Sequence, residues 1–281
     1  MAENKQAGSE TDMTVGEHLD ELRRHITKAL IALGVVAVVL FCIPGIVVDA
    51  VFWPTLPEFP TNQLFGKAAR LFGKEFLAIN DFDLNIVNTK MAGQFMLHIK
   101  SSIIGAILIA FPYLIWQLWI FIKPALSFDI IRRSRSIVFQ VSCWFFVGLA
   151  FGYFIIAPLA VNFLGAYQVS TNITNMIEVD SFLSTVLGVS LAAALIFQLP
   201  VLVKLLATIG ILHASFMRKY RKHAIVVILI VAAIITPPDV ISQILIAIPL
   251  YGLYEFGIRQ TERIEKAKAQ EEVDINTPTK Q

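Results

Sequence analysis

The chain has 281 residues, of which 56% are hydrophobic and 16% are charged. Its mean hydropathy of +0.69 excludes a water-soluble domain of this length, and its net charge of +2 is informative only through where the charges lie. Apolar runs of about 20 residues predict membrane-spanning helices, whereas an outer-membrane barrel would show alternation over about 10 residues. We therefore expect an all-α, polytopic integral membrane protein.

The chain divides into two polar tails and an apolar middle. Residues 1–13 have hardly any apolar side chains and residues 259–281 are rich in charge, so both are expected to be disordered tails. Residues 14–258 form the predicted membrane domain. Its six predicted spans are 26–51, 96–122, 136–159, 181–209, 224–235 and 240–256. The last two are short for a crossing that needs about 20 residues, but we favour two short crossings over a re-entrant hairpin, whose polar tip would lie in lipid.

A polar and aromatic region separates the first two spans. Pro54, Pro57 and Pro60, followed by an amphipathic helical pattern at 67–76, indicate a structured cap on the membrane surface. At the outer end of the second span, Lys100 is expected to extend to the interface.

Basic residues predict the orientation. They cluster before the first span, in the loops at 123–135 and 217–223, and after residue 259. The second and third loops on the other side carry none. Because lysine and arginine accumulate on the cytoplasmic side, both termini are expected to be cytoplasmic.

The segment before the first span places three carboxylates on one side of a short helix. Glu17, Asp20 and Glu21 are spaced i, i+3 and i+4. For Glu17 and Asp20 we favour a structural explanation, because acids stabilise the first turn of a helix. Glu21 lies deeper, beside Arg23 and Arg24, and there a structural role and a binding role both stay open.

One amide lies midway along an apolar span. Gln198 must face a partner or a wet cavity if it lies within lipid, which favours a functional or helix-pairing role. Pro112, Pro158, Pro200 and Pro249 are expected to curve their helices, and curved helices side by side would form a concave wall.

The sequence carries no catalytic signature. It lacks the His-Glu-x-x-His, nucleotide-binding glycine-loop and Gly-x-Ser-x-Gly motifs. We predict that the protein is not an enzyme and that it has no cofactor and no metal site.

An ordered set of segments resembles the TatC subunit of twin-arginine protein translocases. The segments are HLDELR at 18–23, FIKPAL at 121–126, FQLP at 197–200, TPPD at 236–239 and IPLYGLYE at 248–255. The resemblance covers about 15–258 and implies a six-span, glove-like bundle in the bacterial inner membrane. It implies a receptor for twin-arginine signal peptides that supports proton-driven export of folded proteins. The implied partners are TatA, TatB, such signal peptides and other copies of the chain, and no nucleic acid.

The resemblance also implies roles for individual residues. Glu21 would accept the paired arginines with Arg23 alongside, while Phe121 and Pro124 would shape the first loop. Two adjacent guanidinium groups need at least two carboxylates in a partly shielded site.

The second carboxylate is not where the resemblance places it. The family's usual loop glutamate aligns with Ile130, and the nearest acid is Asp129, which fits only if the loop shifts by one residue. Otherwise binding would depend on Glu21. Gln198 would occupy the polar site of the concave face, with a hydrogen-bonding role, and Asp239 would lie at the outer tip of the last hairpin.

The main alternative is an ion-coupled secondary transporter of a small solute. Such a protein needs ionisable groups near mid-membrane. The polar residue predicted there is Gln198, whose amide does not ionise, and Lys204 lies nearer the inner end. A membrane-protein insertase would need an arginine at mid-depth, and none is predicted there. We favour the translocase.

Overall fold

The computed structural model describes residues 15–72, 84–125, 136–170, 172, 175–235 and 240–276. The predicted site residues Asp129 and Asp239 lie outside these ranges. The described α-helices are α1 Val15–Phe41, α2 Pro44–Phe52, α3 Pro60–Phe72, α4 Gly93–Ile122, α5 Ile137–Phe151, α6 Ala157–Ala166, α7 Val179–Ile196, α8 Leu199–Ile209, α9 Ala214–Lys219, α10 Arg221–Ile235 and α11 Val240–Asn276. A π-helical segment, Gly152–Ile156, joins α5 to α6.

The predicted all-α membrane architecture is confirmed. Four helical stretches of the described chain are long and apolar enough to cross a bilayer: Leu19–Phe41, Gly93–Ile122, Ile137–Ala166 and Val179–Ile209. Helix α10 has 15 residues and is about 22 Å long, below the roughly 30 Å of a hydrocarbon core. The fifth and sixth crossings, by α10 and the apolar half of α11, stay a prediction.

The first predicted span differs from the helix observed. Helix α1 begins at Val15, well before residue 26, and ends at Phe41, so that 26–51 is not one helix. A turn at Cys42 and Ile43 separates it from α2, whose first residue is Pro44. Proline has no backbone N–H and crowds the preceding turn, so it starts a new helix here rather than continuing the old one.

Helix α7 is the centre of the bundle. It packs against α2, α4, α5, α6, α10 and the π-helical segment, while α1 packs along α4 and α11 packs on α8 and α10. Buried side chains such as Phe182, Leu183 and Val186 of α7 form the core together with Ile156 and Ile246. Gly148 and Gly152 let α5 and the π-helical segment approach the backbone of α7 closely.

The described residues between the first two spans form a cap. Its helix Pro60–Phe72 begins before the predicted 67–76, and residues 73–76 lie outside the described residues. The ring of Phe59 is fully buried, with its centroid 5.5 Å from that of Phe154 and 5.1 Å from that of Trp53. The Asn62 side chain donates a hydrogen bond of 3.0 Å to the Pro54 carbonyl. The cap is therefore anchored on the π-helical segment by aromatic packing.

Ion pairs lie beside the cap. Two-residue strands, β1 Ile86–Val87 and β2 Ile177–Glu178, pair in parallel. Lys90 Nζ lies 3.0 Å from a Glu178 oxygen, and this hydrogen bond, together with the negative charge of Glu178, raises the pKa of Lys90. Lys100, expected to extend to the interface, is half exposed and pairs with Asp180 at 2.5 Å.

The prediction of a disordered tail from residue 259 is wrong for residues 259–276, because α11 continues to Asn276. Glu265 accepts a 3.0 Å hydrogen bond from the Ala214 N–H, at the start of α9. Lys268 Nζ donates to the Thr208 carbonyl at 2.7 Å, at the end of α8. Glu265 and Lys268 therefore fasten this part of α11 to the corner between α8 and α9.

We expect Lys268→Ala to loosen this corner. A cation at a helix C-terminus contributes about 0.5–1 kcal/mol, so amide hydrogen exchange at 206–214 should become about two to five times faster. Hydrogen–deuterium exchange mass spectrometry of the purified protein measures this directly. Lys266→Ala removes the same charge from an exposed position of the same helix and is the control. Equal exchange in the two variants would show that Lys268 does not hold the corner.

Candidate binding site

The candidate site forms where the beginning of α1 meets the end of α4. The two helices are antiparallel neighbours, so Glu21 of α1 and Phe121 of α4 lie at the same end of the bundle. Much of α1 faces outward: Leu30, Val35 and Val38 each expose about three fifths of their surface, as expected of a helix against lipid. Polar side chains on its α4 side therefore need partners from α4.

A hydrogen-bonded chain supplies those partners. His25 Nδ1 lies 2.7 Å from Gln117 Oε1, and Gln117 Nε2 donates to the Tyr113 hydroxyl at 2.7 Å. Gln117 is buried, with 5% of its surface exposed. A buried amide with both ends bonded is held in one orientation. The chain therefore fixes the imidazole of His25 against α4.

Glu21 lies beside this chain with binding capacity unused. Its side chain is 29% exposed, and Oε1 lies 4.0 Å from His25 Nε2. Oε2 is buried and has no hydrogen-bond partner among the described residues. A carboxylate oxygen that is shielded from water and unbonded is costly unless a ligand donates to it. Glu21 is thus a ready acceptor for a cationic donor.

The other predicted site residues of this region lie at the same end of the bundle as Glu21. Arg23 is exposed on α1, and its carbonyl accepts the Thr27 hydroxyl at 2.7 Å. Phe121 is half-buried one turn beyond Gln117 on α4, and Pro124 is exposed in the short turn Lys123–Ala125 that follows. The structure therefore places these residues at one end of the bundle, and Asp129 lies outside the described residues.

Gln198 lies at a helix break inside the fourth membrane-spanning stretch, Val179–Ile209. It separates α7 from α8, next to Pro200, and its Nε2 donates to the Ala194 carbonyl at 3.3 Å. Its Oε1 is buried and has no hydrogen-bond partner in the described structure. Nearer the end of α8, Lys204 donates to Gln140 at 2.6 Å. Two separate polar positions therefore lie on the α7–α8 unit.

Comparison with known proteins identifies the family. The sequence model described as Sec-independent protein translocase protein (TatC) matches residues 17–249. The protein of that name from Blattabacterium sp. subsp. Periplaneta americana is 32% identical over 260 residues, which cover 92% of this chain and 98% of the relative. The one from Helicobacter pylori J99 is 34% identical, covering 94% and 95%. This chain belongs to the TatC family.

A solved structure of the family agrees with the fold. A crystal structure of the twin arginine translocase receptor TatC matches with a TM-score of 0.64 at 29% identity, covering 86% of this chain and 98% of that one. The protein is accordingly a component of the Sec-independent protein translocase, which is a transport role and not an enzymatic one. The alternative of an ion-coupled solute transporter is not favoured.

In this TatC-family protein, His25, Tyr113 and Gln117 were not among the site residues predicted from the sequence. Gln117 carried a usable signal, because it is an amide inside an apolar span, as Gln198 is. His25 carried none, because only the antiparallel contact between α1 and α4 places its ring beside Glu21 and Gln117.

Proposed function

We propose that this TatC-family protein is the receptor and core subunit that binds twin-arginine signal peptides at its cytoplasmic face. In this proposal it lies in the bacterial inner membrane with both termini cytoplasmic, and it supports export of folded proteins driven by the proton gradient. The observation that carries the proposal is the buried, unbonded carboxylate oxygen of Glu21 at the exposed end of α1 and α4. The match to a structure of the twin arginine translocase receptor supports it.

The chemistry of Glu21 suits a guanidinium group. Arginine presents five N–H donors in a planar fork that fits both oxygens of one carboxylate. Oε1 of Glu21 lies 4.0 Å from a histidine nitrogen, and Oε2 has no hydrogen-bond partner among the described atoms, so the carboxylate can accept from a guanidinium group. We propose Glu21 for one arginine and Asp129 for the second, with Arg23, Phe121 and Pro124 shaping the surface around them.

Selectivity follows from the surrounding charge. Exposed Arg23, Arg24 and Lys123 lie at the same end of the bundle as Glu21 and repel a generic cationic peptide. Binding would therefore depend on arginines placed against the few acids. The same cations favour a cytoplasmic location for this end.

The remaining roles belong to the same proposal. The buried Oε1 of Gln198 supports a hydrogen-bonding site on the inner wall of the bundle, and Asp239 is proposed at the outer tip of the last hairpin. The single-span TatA and TatB proteins and further copies of this chain are the proposed partners. The outward-facing apolar side chains of α1, such as Ile31 and Val39, give lipid or such partners a surface to contact.

The test is a comparison of two peptides. The purified full-length protein in nanodiscs should bind a twin-arginine signal peptide at least about tenfold more tightly than its twin-lysine variant, because lysine keeps the charge but loses the bidentate fork. Fluorescence anisotropy of labelled peptides gives both dissociation constants. Equal binding would contradict the proposal, since plain electrostatic attraction would then explain it.

A further inference from the structure

The feature that points further is the position of His25 between Gln117 and Glu21. Its side chain is 11% exposed and touches a different polar group at each ring nitrogen. Nδ1 faces Gln117 at 2.7 Å, whereas Nε2 faces Glu21 at 4.0 Å. One nitrogen is therefore hydrogen-bonded and the other is within reach of a carboxylate without being bonded to it.

Gln117 decides which nitrogen carries the proton when His25 is neutral. Its amide nitrogen donates to the Tyr113 hydroxyl, and its oxygen faces the imidazole. An amide oxygen only accepts, and Nδ1 must therefore donate. In neutral His25 the proton is on Nδ1, and Nε2 presents a lone pair toward Glu21.

When neutral His25 gains a proton, the proton binds to Nε2. This nitrogen then changes from a hydrogen-bond acceptor to a donor facing Glu21. Two lone pairs facing each other do not bond, which agrees with the 4.0 Å separation of Nε2 and Oε1. An Nε2–H of the imidazolium would instead donate to the carboxylate with the help of opposite charge. Protonated His25 and a guanidinium group therefore need the same acceptor.

Other charged side chains at this end of the described bundle are exposed to solvent, namely Asp20, Arg23 and Arg24 of α1 and Lys123 after α4. Tyr113 is the titratable group that α4 places in the hydrogen-bonded chain, and α2, which follows the far end of α1, carries Asp49. On α1 itself Arg24 and Lys28 are exposed to solvent, where their fields are screened. In the described structure Glu21 is the carboxylate paired with His25.

We propose that His25 is a pH-sensitive competitor for the arginine-binding carboxylate of Glu21: protonated, it occupies Glu21, and neutral, it releases Glu21 to a peptide arginine. This inference rests on the proposed function. Protonation of an imidazole adds a positive charge and an N–H donor, so the competition depends on pH. Binding of a peptide arginine expels one proton from His25, and peptide affinity rises as pH rises.

The pH profile of peptide binding tests the proposal. One linked proton changes the dissociation constant by at most about tenfold per pH unit. For the full-length protein in nanodiscs we expect twin-arginine peptide to bind about three to ten times more tightly at pH 8.0 than at pH 5.5. In His25→Gln this ratio should fall below about twofold, because glutamine does not titrate. His223→Gln, which removes an exposed histidine of α10, should keep the wild-type ratio.

A second measurement keeps the test independent of how the variant folds. Nitrogen-15 NMR of histidine-labelled wild-type protein reports which ring nitrogen is protonated. We expect neutral His25 to carry its proton on Nδ1, and Gln117→Leu to abolish that preference. A proton on Nε2 in the neutral form, or an unchanged pH ratio in folded His25→Gln, would overturn the proposal about His25 alone. Absence of twin-arginine binding at every pH would instead overturn the proposed function, and this inference with it.

Discussion

Glu21→Gln will weaken binding of a twin-arginine signal peptide about 10- to 100-fold, because hydrogen bonds to charged groups contribute about 1.5–3 kcal/mol. Glutamine keeps the size of the side chain and one accepting oxygen, but it loses the charge and places an NH2 group where the guanidinium must donate. Glu21 is only 29% exposed, so water replaces the lost interaction poorly. Anisotropy titration at constant pH and salt measures the change, and export of a folded reporter in cells should fall in parallel.

Asp20→Asn is the matched control for Glu21→Gln. It removes one negative charge from the neighbouring position of the same helix, where the carboxylate is exposed to solvent. Long-range attraction between exposed charges is screened within about 8–10 Å at physiological salt, so Asp20→Asn should change the affinity less than about threefold. If the two variants lost the same affinity, Glu21 would act only through the net charge of the segment, and specific recognition would be refuted.

The class of fold was predictable because membrane spans are runs of consecutive apolar residues, which can be read directly from the sequence. Four apolar stretches of 23 to 31 residues are each long enough to cross a bilayer, so the sequence identifies them as membrane helices. Helix ends were less predictable, since Pro44 lies within an apolar run that hydropathy treats as continuous. The break at Gln198, by contrast, lies beside Pro200, where the sequence does indicate an interruption.

The C-terminal helix shows what hydropathy misses. Residues 259–276 are highly charged, and composition alone therefore predicts a disordered tail. Their order in the structure comes from partners far away in the chain: Glu265 bonds a group 51 residues earlier, and Lys268 one 60 residues earlier. Such pairings depend on how α8, α9 and α11 are arranged in space.

The candidate site was only half predictable for the same reason. Glu21, Phe121 and Pro124 were indicated by an ordered set of motifs that resemble one family. The hydrogen-bonded chain from Tyr113 to His25 requires residues 88 positions apart in the sequence to meet, as the contact of His25 with Gln117 shows. Residue type alone did not separate His25 from the other four histidines.

The packing of α5 on α7 gives the largest expected effect on stability. A Cβ atom added to Gly148 would lie 2.8 Å from the Cα of Ala194, 2.8 Å from the carbonyl oxygen of Ala193 and 2.6 Å from the Cβ of Phe197. Two of these atoms belong to the backbone of α7 and cannot rotate away. Gly148→Ala therefore forces the two helices apart, and over-packing of this kind costs about 1–3 kcal/mol.

Helix propensity acts in the opposite direction but is the smaller effect. Alanine is favoured over glycine inside a helix by at most about 1 kcal/mol. Because α7 contacts most of the bundle, separating α5 from it disturbs the core that contains Leu183 and Val186. We expect Gly148→Ala to lower the thermal unfolding midpoint of the detergent-solubilised protein by several degrees, about 2–4 °C for each kcal/mol lost.

Gly188→Ala separates these two effects. Gly188 lies in α7 itself, is exposed, and a Cβ atom there would meet nothing within 4 Å. The same substitution gains helix propensity without a clash, so the midpoint should stay level or rise slightly. Thermal unfolding followed by size-exclusion chromatography compares the two variants. A midpoint for Gly148→Ala equal to that of Gly188→Ala would mean that α5 and α7 are not in the close contact on which the bundle core depends.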